Sequence, residues 1–203
     1  MPNGKIAADM PTETSQPAEA PVRRRLFTAE EYHRLGEVGI LHEEERVELV
    51  DGDIVVMSPI GTRHASCVDR LVVLMHRCFG DRGILRVQGP VRLDPFSEPQ
   101  PDLTVLKPRA DFYSSAHPQG EDILLAIEVA DTSLRFDRDV KGRVYARTAV
   151  AEFWLVDLPN ERIEMFSQPG IDGYQSCRVL KRGERLPIAA LPDAVLSVDE
   201  VLG

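Results

Sequence analysis

Between residues 62 and 79 the apolar residues Ala65, Val68, Leu71, Val72, Met75, Cys78 and Phe79 recur at helical spacing. Arg63, Asp69, Arg70, His76 and Arg77 fall off that face. The pattern predicts an amphipathic helix packed on a sheet. Residues 47–50 and 53–57 read as two strands joined by Asp51-Gly52, a pair that supplies the positive φ angles of a tight hairpin turn; Ser58-Pro59-Ile60-Gly61 breaks the second strand. Residues 102–106 and 122–129 are apolar nearly throughout, which predicts central strands covered on both faces.

Weaker signals fill in the rest. Thr28, with Glu31 three residues on, forms a capping-box pattern for a helix to about Leu35, ended by Gly36. Residues 84–93 alternate as a strand until Asp94-Pro95, and residues 107–120 read as a loop. Thr132-Ser133 offers an N-cap for a helix over 134–148. Strands are predicted over 151–157, 162–167 and 174–180, and a short helix over 198–202, with Pro187 and Pro192 as breaks before it. Helices mixed with strands of this kind give an α/β (α+β) chain.

The 203 residues allow one domain with a good core. Residues 1–21 mix Pro, Ala, Thr, Glu and Ser without periodicity and without the apolar stretch of a secretory signal. The expected organisation is a disordered leader, 1–25, and one domain, 26–203. No apolar run approaches the ~20 residues that span a bilayer. Cys67, Cys78 and Cys177 are odd in number and lack metal-knuckle spacing, which argues for a reducing compartment, with the cytoplasm as the expected location. Cys67 and Cys78 read as small apolar fillers. A net charge of -9 weighs against a protein whose main task is coating nucleic acid, yet permits an enzyme that acts on it, because metal-binding carboxylates lower the total by themselves.

The candidate chemistry lies in residues 101–145. Asp102 opens one apolar strand and Glu128 interrupts another, Leu125-Ala126-Ile127-Glu128-Val129. An ionised carboxylate in such a run needs a cation or several donors. If the two strands are neighbours, alternation lets the carboxylates converge as a hard-cation site. Asp137, Lys141 and Tyr145 follow at successive i+4 positions, beside an apolar stripe of Phe136, Val140 and Val144. Each residue also has a plainer reading: a structural ion pair for Glu128, a turn residue for Asp102, a surface pair for Asp137 and Lys141, and a satisfied buried histidine for His64, which otherwise lines the site.

The series Glu48-Leu49-Val50-Asp51-Gly52, Met57-Ser58-Pro59 with His64, Pro99-Gln100-Pro101-Asp102-Leu103, Ile127-Glu128-Val129, Asp137 with Lys141 and Tyr145, and Glu152-Phe153-Trp154-Leu155-Val156-Asp157 resembles the Uma2 family (DUF820) of restriction endonuclease-like proteins over roughly residues 28–180. Its members are similar to PD-(D/E)XK nucleases. The resemblance implies a restriction-endonuclease-like mixed central sheet flanked by helices. It implies Asp102 and Glu128 as ligands of Mg²⁺ or Mn²⁺, with the main-chain carbonyl of Val129 as a third oxygen, and Glu48 as an upstream acid that completes the site. It also implies Lys141 as the catalytic lysine, oriented by Tyr145 and Asp137. The chain departs from the general nuclease pattern at Ala130, where that pattern has lysine.

The resulting expectation is a metal-dependent endonuclease that hydrolyses DNA phosphodiester bonds as a homodimer, with any specificity coming from loops such as 107–120. The rivals are a nuclease fold retained as a nucleic-acid or protein-binding module, and a hydrolase of another phosphate ester.

Overall fold

The computed structural model describes residues 24–42 and 44–203; the expected leader falls outside it, apart from Arg24 and Arg25. Helix α1 (Ala29–Glu37) starts with the anticipated capping box, Glu31 N donating to Thr28 Oγ1 and Thr28 N to Glu31 Oε2. It runs through Gly36, and the left-handed residue that turns the chain is Gly39, at φ 73°. The hairpin β1 (Val47–Val50) and β2 (Asp53–Val56) turns on Asp51 and Gly52 at φ 52° and 78°. Helix α2 occupies Thr62–Phe79 as its periodicity predicts.

Strand β3 (Ile84–Val87) is shorter than expected, because Gln88 takes φ 47° and Pro90 removes a donor just beyond it. Strands β4 (Leu103–Leu106) and β5 (Ile123–Ala130) are antiparallel neighbours. After β5 come α3 (Leu134–Phe136), a π-helical turn (Asp137–Lys141) and α4 (Gly142–Arg147), in place of one regular helix. Ser133 makes no side-chain cap to the helix backbone; its hydroxyl donates to Asp137 Oδ2 instead.

Strands β6 (Glu152–Asp157), β7 (Arg162–Gly170) and β8 (Gly173–Lys181) complete a six-stranded sheet of order β3-β4-β5-β6-β7-β8. Only β5 and β6 pair in parallel, which requires the helical crossover between them. The C-terminal region holds a hairpin that the sequence reading missed, β9 (Arg185–Ile188) and β10 (Leu191–Ser197), before α5 (Val198–Leu202). Pro187 and Pro192 lie within its strands. A two-stranded ribbon with a bulge tolerates both, since each strand has a free edge.

The sheet is covered on both faces. Cys67, Leu71 and Met75 of α2 pack with Leu103, Val105, Leu125, Ile127 and Val129 on one side, joined by the C-terminal hairpin and α5. On the other, Tyr145 packs with Ala126, Ala130, Phe153 and Leu155. Cys67 is the buried filler anticipated, its thiol pKa pushed up to about 11 by burial. No described helix is long and apolar enough to cross a membrane.

Candidate active site

Alternation along β4 and β5 decides what enters the site. Leu103 and Val105, with Leu125, Ile127 and Val129, go to the α2 side, which leaves Thr104 and Glu128 for the face under α4. The register pairs Leu103 with Ile127, so Asp102, just before β4, comes opposite Glu128. The Asp102 amide lies 3.4 Å from Glu128 Oε2. Both carboxylates are largely withdrawn from solvent, at 8% and 3% exposure.

Lys141 is brought in by the π-helical turn, in which Gly142 N donates to Asp137 O, five residues back. The widened turn faces the polar stripe inward: Asp137, Lys141 and Tyr145 are buried while Phe136 and Val140, expected on the covered face, are half-exposed. Lys141 Nζ lies 2.9 Å from Glu48 Oε1, 3.1 Å from Glu128 Oε1 and 4.0 Å from Asp137 Oδ1. Glu48 arrives on β1, whose hairpin is fastened to the chain before β4 by Glu98 N donating to Leu49 O and Gln100 N donating to Glu48 Oε2. Tyr145, expected to orient Lys141, instead donates to Glu128 Oε1 at 2.6 Å.

His64, near the start of α2, lies with Nε2 2.9 Å from Asp102 Oδ2, so it belongs to the site and is not a fully satisfied core histidine: its Nδ1 is buried without a partner. Val129 N donates to the same oxygen at 2.9 Å and Gln88 Nε2 to Asp102 Oδ1 at 3.2 Å. Glu48, His64, Asp102, Glu128, Val129, Asp137 and Lys141 thus line one cleft of about 360 Å³, with Tyr145 behind its floor. Sequence reasoning missed Gln88, Gln100 and Arg46, which also border or support it. The one trace of Gln88 was the Gly89-Pro90 break next to it. The loop at 107–120, expected to carry specificity, sits at the far end of β4 and β5 from Asp102 and Glu128; the loops at the cleft are 57–61 and 131–133.

Burial sets the electrostatics. It raises Glu128 well above the ordinary carboxylate value, Lys141 opposing and Asp137, Asp102 and Glu48 adding to the rise. Asp137 is raised for the same reason against Lys141 and Ser133. Burial disfavours the charged ammonium of Lys141, but Glu128, Glu48 and Asp137 overcome it and hold the proton more tightly than in water. Burial also works upward on Asp102, yet the hydrogen bond and charge of His64, with the Val129 amide and Gln88, leave it below the usual range. The hydrogen bond to Asp102 outweighs burial at His64 and raises its pKa.

Four carboxyl groups, Glu48, Asp102, Glu128 and Asp137, therefore meet at the cleft, three of them around the Lys141 ammonium and Asp102 on the His64 imidazole. Among the described residues no group of three or more His, Cys, Asp or Glu side chains is set to hold a metal ion. The physical reason is that Glu48 and Glu128 are turned onto Lys141, and Asp102 onto His64. The donor set still fits a hard divalent cation that keeps most of its waters and takes one or two carboxylates. Asp102 and Glu128 are hard oxygen donors at neighbouring positions of adjacent chain segments, four carboxyl groups meet there against one lysine, and the carbonyl of Val129 projects from the strand on the same side as its amide.

The fold recurs in a solved structure, that of a "putative nuclease belonging to DUF820" from Anabaena variabilis ATCC 29413, with TM-score 0.67 and 14% identity over 87% of this chain and 97% of that one. At that identity the likeness concerns the fold, a nuclease-like mixed sheet flanked by helices. Among curated proteins none matches the sequence. Residues 29–199, which span every element that builds the cleft, match the Uma2 family, described as "Putative restriction endonuclease", and the chain belongs to that family.

Proposed function

We propose that the chain is a metal-dependent endonuclease that hydrolyses DNA phosphodiester bonds with Mg²⁺ or Mn²⁺. The observation that carries this reading is the meeting of Asp102, Glu128 and Lys141, from the residue before β4, from β5 and from the helical crossover, in one cleft of a Uma2 chain. Asp102 and Glu128 would hold the ion, with the Val129 carbonyl as third oxygen. Bound there, the ion supplies Lewis acidity toward the phosphate and a water of lowered pKa.

The chain's own residues do the rest. His64, Gln88 and the Val129 amide fix the Asp102 carboxylate, and Tyr145 and Lys141 fix that of Glu128. Glu48 and Asp137 hold the Lys141 ammonium at the cleft floor, where its charge offsets the negative charge that builds on the phosphate in the transition state. We further propose a cytoplasmic homodimer, two clefts serving the two strands of a duplex, which light scattering would test.

The second reading, a nuclease fold that binds without cutting, is favoured by Ala130: this residue is fully buried in the core under α4, so no lysine serves the site from there. Plasmid nicking with Mg²⁺, Mn²⁺ or EDTA, with Glu128→Gln and Lys141→Ala alongside, separates the two. Metal-requiring cleavage that both variants lose supports the enzyme. Wild-type protein that binds DNA yet leaves the plasmid intact supports the module.

A further inference from the structure

The cleft presents a charge problem for its proposed substrate. Its floor carries an excess of carboxylates, and a nucleic-acid strand is a polyanion. The cationic side chains lining it are Arg46, Lys141 and, when protonated, His64. The ammonium of Lys141 is enclosed by Glu48, Glu128 and Asp137, and His64 is turned onto Asp102. Arg46 alone of these is exposed at the mouth.

Arg46 directly precedes β1, two residues before Glu48, so the two side chains share a face: Glu48 reaches the floor and Arg46 the rim. Its backbone is fixed, because Met57 N donates to Arg46 O at 2.8 Å and extends the hairpin pairing by one rung. Its guanidinium donates from Nη1 to Ser58 O at 3.2 Å and pairs with no carboxylate among the described residues. The remaining donors keep the planar fork that grips a phosphate with two parallel hydrogen bonds. Beside it Val56 and Ile60 expose apolar surface at the same rim, at 77% and 43%, matching the sugar and base faces that lie between phosphates.

We propose that Arg46 is the substrate-binding arginine of the cleft, holding a backbone phosphate of the DNA strand adjacent to the one positioned at Asp102 and Glu128. This rests on the nuclease reading and gives it a specific contact. The contact explains how an acidic chain with an acidic cleft admits a polyanion: a cation with no carboxylate partner among the described residues meets the strand at the rim.

The test is fluorescence anisotropy of a short fluorescein-labelled DNA duplex with the full chain in EDTA, over a series of salt concentrations, for wild type, Arg46→Ala, Arg46→Lys and Arg178→Ala. Arg178 is an exposed control on β8, at one edge of the sheet and away from the cleft. Arg46→Ala is expected to weaken binding roughly five- to twentyfold and to lower the slope of log K against log salt by about one, the signature of one lost phosphate contact. Arg46→Lys should keep the slope and only part of the affinity, and Arg178→Ala should match wild type. Melting temperatures of all four should agree. Wild-type binding with an unchanged slope in Arg46→Ala, or equal losses in Arg46→Ala and Arg178→Ala, overturns the role of Arg46 and leaves the nuclease reading standing. Wild type that binds no DNA in EDTA overturns the role of Arg46, and metal-dependent plasmid nicking then decides the nuclease reading by itself.

Discussion

Lys141 Nζ lies nearer to Glu48, at 2.9 Å, than to Glu128, at 3.1 Å, so strand β1 supplies the shortest partner of the lysine on the crossover helix. The contact closes the site across 93 residues of sequence, from β1 to the π-helical turn. Removing one partner of a buried ion pair leaves an uncompensated charge and typically costs about 3–5 kcal/mol. Glu48→Ala is therefore expected to lower stability by about 3 kcal/mol in urea denaturation, with Glu48→Gln milder because its amide oxygen can still accept from the Gln100 amide. A loss below about 1 kcal/mol for Glu48→Ala would show that Glu128 alone satisfies the ammonium.

Tyr145 tests the second support of Glu128. Its hydroxyl is fully buried and donates at 2.6 Å, while its ring packs in the core under α4. Tyr145→Phe keeps the ring and removes only the donor, which should cost about 1–3 kcal/mol. Because Tyr145 makes no hydrogen bond to Lys141, a double-mutant cycle should couple it to Glu128 and leave it nearly additive with Glu48→Gln. Strong coupling to Glu48 would mean that the network acts as one unit.

How much of this was legible in the sequence follows from which features are local. The hairpin turn at Asp51-Gly52 and the limits of α2 are written in turn chemistry and helical spacing, and both elements fall where those signals put them. The convergence of Asp102 with Glu128 followed from alternation once the strands were neighbours. The π-helical turn left no mark, since Asp137, Lys141 and Tyr145 have the same four-residue spacing in a regular helix. Gln88 and Gln100 are ordinary residues that acquire roles through partners 14 and 52 positions away. The hairpin of β9 and β10 was hidden by prolines that an edge position tolerates.

The charge balance around Lys141 makes a prediction about metal. With Lys141→Met, Glu48, Glu128 and Asp137 lose the cation they share, and the divalent ion that the proposed function assigns to Asp102 and Glu128 would no longer meet the ammonium beside Glu128. Mn²⁺ should then raise the melting temperature of Lys141→Met by more than it raises that of wild type, although the variant is expected to start lower. Calorimetric titration with Mn²⁺ gives the same comparison directly. Weaker Mn²⁺ binding in the variant would mean that the ammonium organises the ligands and does not compete with the ion.

Gly120 links stability to the placement of the lysine. It sits in a one-turn 3₁₀ helix, Gly120–Asp122, that leads into β5, and a Cβ built there would lie 1.8 Å from the carbonyl oxygen of Thr148, just past the end of α4. That carbonyl is backbone, so the contact is relieved only by moving the turn or the helix end. Overpacking of this kind costs about 1–3 kcal/mol or more, and here the displaced helix is the one that continues from Lys141. Gly120→Ala is expected to lose at least about 2 kcal/mol in urea denaturation and, in the nicking assay, to cut more slowly than wild type. Gly36, inside α1 with nothing within 4 Å of its virtual Cβ, is the matched control. Gly36→Ala should stabilise by about 0.5–1 kcal/mol, since alanine gives up less backbone freedom in a helix than glycine. Equal stability of the two alanine variants would show that the end of α4 yields freely, and that Lys141 is held in place by its carboxylates and not by the packing behind the helix.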